Sequence, residues 1–193
     1  NEVYLGGSYA IAKNLREFCK CVDVFSAGNF QSDLDIQIKN NKKKRINLIN
    51  LDKKFAVVKK TRYLNTNKKK LFECYSYSGN NRTLKLNKNI LNKFKNKISE
   101  YDCVIISDFG HGFFSDDLYK VIQKGAKFLS INVQTNAGNR GYNLATKYRK
   151  MDNLLIDLPE LQLATKDNSN DVDSLTRKLS KKIKSKYFAV TKG

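Results

Sequence analysis

Apolar and polar positions change period several times along this chain, and each change marks an element. Residues 8–20 (SYAIAKNLREFCK) set Ala12, Leu15, Phe18 and Cys19 on one helical face, which predicts an amphipathic helix. The short apolar run from Val22 to Ala27 reads as a buried strand. Ser32 to Asn40 suits a helix, with Ser32 as N-cap and Asp35 three residues on. Segments 46–51, 55–64 and 71–77 read as three neighbouring strands separated by Asn and Lys turns. No helix intervenes, so they predict an antiparallel excursion from the main sheet.

A βα rhythm follows. Ile90, Leu91, Phe94 and Ile98 define a helix over 88–99, and CVIIS at 103–107 a continuous apolar strand. Ser115 caps a helix running to about Lys124. A strand at 127–133, a Gly/Asn-rich loop, a strand at 153–157, helices near 160–165 and 172–184, and a strand at 187–191 complete the pattern. Alternation of this kind predicts an α/β fold with a mostly parallel sheet, and continuous apolar strands predict burial on both sheet faces. Open parallel sheets bind ligands beyond the carboxyl ends of their strands. That rule selects Asp108 to Gly112, Asn132 to Gly141, Asp157 to Glu160 and Thr191 to Gly193.

Composition narrows the function classes. With 193 residues, 40% of them apolar, the chain suits one domain with a real core. No apolar stretch approaches the roughly 18–20 residues of a membrane span, and no signal peptide is expected. The net charge of +19, from 37 basic and 18 acidic side chains, would attract nucleic acid or acidic lipid. Yet Lys42 to Arg45 and Lys68 to Lys70 look like turns and lack the aromatic spacing of a base-stacking platform. The charge is read as a solvated face, with no nucleic-acid or membrane partner expected. Cys19, Cys21, Cys74 and Cys103, with the single His111, give neither zinc spacing nor a disulfide framework, which suits reduced thiols in the cytoplasm. Asn1 at the start and Gly193 just after a strand predict that both ends are cuts within a longer protein.

Each candidate motif has a functional and a bland reading. Gly6 and Gly7 open the first helix, where bare backbone N–H groups can hold hydroxyls or anions, or simply make a turn. Asp108 ends a strand in DFGHG, suited to substrate or to a magnesium-bound water, or to capping the next turn. A protein-kinase reading of that tripeptide fails, because no Gly-rich loop, strand lysine or catalytic-loop motif accompanies it. Asn132, Asn136 and Arg140 lie in NVQTNAGNRGYN, whose amides and guanidinium suit sugar hydroxyls and a phosphate, or plain solvation. Asp157 and Glu160 in DLPE can hold hydrated Mg²⁺, or serve as a helix cap and first-turn charge.

In order, these pieces resemble the ribokinase-like (PfkB-family) sugar kinases, especially heptose-kinase-like domains fused to cytidylyltransferase-type domains. The carrying stretches are LGGSYAIAKNL at 5–15, VKKTRYLN at 58–65, YDCVIISDFGHGFFS at 101–115, INVQTNAGNRGYNLATKY at 131–148 and DNLLIDLPELQLATKD at 152–167. The resemblance implies a three-layer α/β/α fold with a small antiparallel lid at about 46–78, which often forms a homodimer contact. It implies ATP and Mg²⁺ as cofactors and phosphorylation of a sugar or sugar phosphate in nucleotide-sugar synthesis. Gly6 and Gly7 then match the glycine pair of the sugar pocket, and Asp108 an aspartate at the edge of the active site. Asp157 and Glu160 match an N-x-x-E motif, while Thr191 and Gly193 match the start of a T-x-G nucleotide segment. The catalytic base, in a G-x-G-D segment, is expected beyond Gly193, so the chain alone is expected to be inactive. Ala10, Asn132 and Asp157 depart from the family's usual Asn, Asp and Asn, which motivates a second reading as a non-catalytic ligand- or partner-binding module.

Overall fold

The apolar runs at 22–26, 104–108 and 129–133 pair in parallel, whereas the Lys-bearing segments at 57–64 and 70–78 fold back as a hairpin. The computed structural model describes residues 2–28, 45–78, 84, 86–136 and 138–192. The helix expected at 32–40, Lys42 to Lys44 and Gly193 lie outside the described residues. The chain divides into two compact units, residues 1–84 and 85–193.

In the first unit, helix α1 (Gly7–Leu15) leads to strand β1 (Val22–Ser26), which pairs in parallel with β2 (Ile46–Asn50). Ala12, Val24 and Ile46 form the core here, with Tyr9, Val22 and Leu48 packed against it. The helix is shorter than its apolar stripe predicted. At Leu15 the bonds tighten to i→i−3 contacts, Glu17 N–H to Asn14 O and Phe18 N–H to Leu15 O, and Phe18 ends 87% exposed. Left exposed, Phe18 adds no packing that would hold its turn helical.

Strands β3 (Val57–Leu64) and β4 (Lys70–Ser78) form the antiparallel hairpin, closed through Asn65 and Lys69. The antiparallel segment therefore holds two of the three strands expected there. The third, β2, pairs in parallel with β1, because its Ile46 and Leu48 belong to the core under α1. On the hairpin, Glu73 meets Lys60, Arg62 and Lys70 at 3.1, 3.4 and 3.6 Å, and Tyr63 stacks on Phe72 at 4.5 Å.

The second unit is the βα half. Helix α2 (Lys88–Ile98) precedes β5 (Val104–Asp108), α3 (Asp116–Gly125) and β6 (Leu129–Val133). A loop with one 3-10 turn (Ala145–Lys147) leads to β7 (Lys150–Asp157), followed by α4 (Leu158–Thr165), α5 (Val172–Ser180) and β8 (Lys184–Thr191). The four strands pair in parallel in the order β5-β6-β7-β8. Each helix start has a short polar cap: Asn87, Ser115, Asp157 and Asp171 all accept from first-turn N–H groups. Helices α2 and α3 pack closely because Gly125 has no side chain; a Cβ there would sit 2.1 Å from Ile98 Cγ2.

Ile106, Ile131, Leu154 and Ile156 are at most 1% exposed and, with Leu118, Leu161, Leu175 and Leu179, make the core. Burial on both sheet faces, expected from the sequence, holds on one face only. The opposite face alternates Ser107, Ser130, Asn132 and Asn153 with Ile105, Leu155 and Tyr187, and these three apolar residues are 39%, 40% and 60% exposed. Among the described residues no helix is long and apolar enough to cross a membrane, and the four cysteines form no disulfide and lie exposed.

Candidate active-site rim

Three of the segments selected by the carboxyl-end rule meet at one edge of the parallel sheet. Asp108, the last residue of β5, is 2% exposed, and a buried carboxylate demands donors. It has them. Oδ1 accepts from Gly110 N–H at 2.9 Å, and Oδ2 accepts from the Tyr148 hydroxyl at 2.7 Å and pairs with the Lys147 ammonium. Burial first, then the Asp108 charge, pushes the Tyr148 phenol far above its ordinary range, so Tyr148 remains a donor.

The main chain of Asp108 and Phe109 anchors the Asn-rich loop. Asp108 O accepts from Gln134 N–H at 2.8 Å and from the Asn143 amide at 3.2 Å. Phe109 O accepts from the side-chain amides of Asn136 and Asn139, both at 3.0 Å. The Asn143 amide also reaches Gln134 O at 3.1 Å. Gly110 is required at this crossing: its φ is +71°, and a Cβ would lie 2.0 Å from Asn139 Nδ2.

The loop is tied onward to β7 and α4. Thr135 N–H donates to Glu160 Oε1 at 2.7 Å, and Asp157 N–H donates to Glu160 Oε2 at 3.2 Å. In return Asp157 Oδ1 accepts from Glu160 N–H at 2.8 Å, completing a capping box with Pro159 in the first helical turn. Burial raises the Glu160 carboxyl above its ordinary value; the N–H groups of Thr135 and Asp157 pull it back, and the nearby Asp157 charge adds to the rise. Thr191, exposed at the end of β8, is the register partner of Asp157.

Asp108, Asn136, Asp157, Glu160 and Thr191 are thus brought to one rim, the first four through shared hydrogen-bonded loops. Asn132 sits just below it, donating to Leu155 O at 3.1 Å, and Arg140 is exposed in the turn after Asn136. Gly6 is the N-cap of α1 and Gly7 its first residue, both in the other unit. Lys147, Tyr148, Gln134, Thr135, Asn139 and Asn143 complete the network without having been singled out from sequence. Among the described residues no three His, Cys, Asp or Glu side chains gather as a metal cluster. The Asp157–Glu160 pair is a hard-oxygen donor set; both Glu160 oxygens accept backbone N–H groups, so the pair fits a hydrated Mg²⁺ only through the ion's water shell.

No family model matches the chain, and no curated protein matches it. Solved structures do. A point mutant of phosphofructokinase-2 from Escherichia coli is similar over 97% of this chain and 61% of its own, at 10% identity and a TM-score of 0.64. The same enzyme in complex with fructose-6-phosphate gives 97%, 62%, 12% and 0.63 in the same order. A pyrophosphate-dependent kinase in the ribokinase family, complexed with a pyrophosphate analog and myo-inositol, gives 100%, 66%, 13% and 0.62. This chain therefore spans about three-fifths of the phosphofructokinase-2 chains. At such identities the likeness concerns architecture: the chain has a ribokinase-like α/β fold.

Proposed function

We propose that this chain is the central part of a cytoplasmic enzyme that phosphorylates a sugar or sugar phosphate from ATP, heptose-like in class, in nucleotide-sugar or polysaccharide precursor synthesis. The observation that carries the reading is the rim itself: Asp108, the 134–143 loop and the Asp157–Glu160 box joined at the carboxyl edge of a ribokinase-like sheet. Phosphoryl transfer relies on positioning and charge neutralisation, and a rigid rim of this kind supplies positioning. Asp157 and Glu160 would hold Mg²⁺ through water; bound there, the ion would neutralise donor phosphates. By the resemblance Thr191 and Gly193 would begin the nucleotide segment and Gly6 and Gly7 would contact sugar, while Arg140 offers a fork for a substrate phosphate. In this reading Asp108 is a positioning residue, since its carboxylate already serves three protein donors. By the resemblance the catalytic base would lie in a G-x-G-D segment, and the β3–β4 hairpin would correspond to the family's lid strands.

The test is transfer of labelled phosphate by the full-length protein to a panel of hexose and heptose phosphates, with ATP and pyrophosphate as separate donors. Transfer from ATP to one member is expected, and Glu160→Gln should lower it ~10–100-fold while raising the Mg²⁺ needed for half-activation. A second reading, a ligand-binding module without catalysis, is favoured by Ala10, Asn132 and Asp157 standing where the resembled kinases carry other residues. Sugar-phosphate binding without transfer to any panel member would select it.

A further inference from the structure

The opposite edge of the same sheet carries a feature the kinase reading does not use. A cavity of about 390 Å³ opens where β6, β7 and β8 begin and where α3 and α5 end. Strand β7 advances roughly 23 Å from Lys150 to Asp157 at the usual rise per residue, so this cavity lies far from the rim. Three lysines line it: Lys150, Lys184 and Lys186.

Their placement is unusual. Lys150 and Lys184 are register partners on adjacent strands, so like charges stand directly opposite, an arrangement that costs stability. Lys186 follows on the same face of β8, since side chains alternate. One carboxylate stands among them, Asp152, and it is already engaged: it accepts from Leu129 N–H at 2.9 Å and pairs with Lys186 at 2.8 Å. Among the described residues Lys150 and Lys184 make no direct ion pair, although Lys150, after Lys186, also helps hold the Asp152 carboxyl below its ordinary value. Met151 and Ile183 close the cavity from behind as core residues, 5% and 1% exposed. Gln123 is fixed beside it, its amide donating to Lys150 O at 3.2 Å and to the Tyr119 hydroxyl at 3.0 Å.

We infer that this amino-edge cavity binds a small phosphorylated metabolite, whose phosphate bridges Lys150 and Lys184 while its organic part fills the rest of the cavity. Charge supplies the phosphate preference, because a dianion converts a repulsive pair into two charge-assisted contacts. Shape supplies the rest: the volume is within the ordinary range for small-molecule sites and far exceeds a phosphate ion. The assignment does not depend on the kinase reading.

Calorimetric titration of the protein with fructose 6-phosphate, AMP and inorganic phosphate tests it. One of the organic phosphates should bind more tightly than inorganic phosphate. Lys150→Gln/Lys184→Gln should weaken that binding by roughly tenfold or more per lysine removed, while Lys150→Arg/Lys184→Arg retains it. Arg140→Ala, at the far rim, should leave binding at this cavity unchanged, which separates it from the proposed substrate site. Because the double Gln variant removes a repulsion, its ligand-free melting temperature should equal or exceed that of the parent, so a folding defect cannot mimic the loss. Equal affinity for inorganic phosphate and both organic phosphates, absence of binding by all three, or full binding by the Gln variant would each overturn the inference.

Discussion

Asp108→Ala tests whether the buried carboxylate holds the rim together. The substitution leaves three donors behind. The Tyr148 hydroxyl belongs to a residue only 1% exposed, and orphaning it should cost about 1–3 kcal/mol. The half-buried Gly110 N–H adds on the order of 1 kcal/mol. The Lys147 side chain is 38% exposed and can turn its ammonium to water, so its share is discounted to under about 1 kcal/mol. A total near 2–5 kcal/mol is expected, a large part of a typical domain's stability.

The sharper measurement is a double-mutant cycle with Tyr148→Phe. In the parent, losing the hydroxyl should cost about 1.5–3 kcal/mol, as for a hydrogen bond to a charged group. Once Asp108 is gone the hydroxyl has no partner, and Tyr148→Phe should be neutral or stabilising. The chain contains no tryptophan, so urea unfolding is followed by circular dichroism and tyrosine emission. A coupling of at least ~1.5 kcal/mol is expected; additivity within ~0.5 kcal/mol would refute the keystone role.

Other expectations follow from the same network. Gly110→Ala, at φ +71° and against Asn139, should cost about 1–3 kcal/mol by thermal unfolding. Asp157→Ala should cost ~1 kcal/mol through loss of the α4 cap, whereas Asp157→Asn, an equally good cap, should cost a few tenths. The raised Tyr148 phenol means the folded state holds that proton more tightly than the unfolded chain. Stability should therefore fall by up to about 1.4 kcal/mol per pH unit above pH 10, and Tyr148→Phe should remove that component in urea titrations between pH 9 and 11. The Glu160 carboxyl is likewise raised, so its contribution declines as pH climbs past its ordinary value of 4.5; Glu160→Gln should flatten stability there, and an unchanged profile would contradict the burial argument.

Local signals were the legible part of the sequence. Ser115 and Asp157 cap the helices they were expected to cap, because capping needs only the next three residues. The second unit's strands came through because continuous apolar runs need no knowledge of partners. Partner choice was where reading failed. Nothing in INLIN at 46–50 says whether it joins the hairpin or β1; that depends on burying Ile46 and Leu48 beneath α1. Phe18 matched a helical stripe yet had no surface to meet. Tyr148 lies 40 residues after Asp108, and among 37 basic side chains no local pattern marks Lys147 as the one facing it.

The hydrogen-bond ledger of the rim changes what Asp108 and the asparagines can be asked to do. Asn143 spends both amide N–H groups on Asp108 O and Gln134 O, and Asn136 and Asn139 each spend one on Phe109 O, so these side chains hold the loop before any ligand arrives. Of the side chains that sequence reasoning offered as direct sugar contacts, Asn136 thereby has a part in shaping the loop. The groups still turned to solvent at this edge include Arg140 and Thr191. A site built this way meets the ordering cost when the chain folds rather than when ligand arrives. That holds for a kinase and for a binding module alike, which is why Arg140→Ala should weaken phosphosugar binding under either reading, while only an assay of transfer divides them.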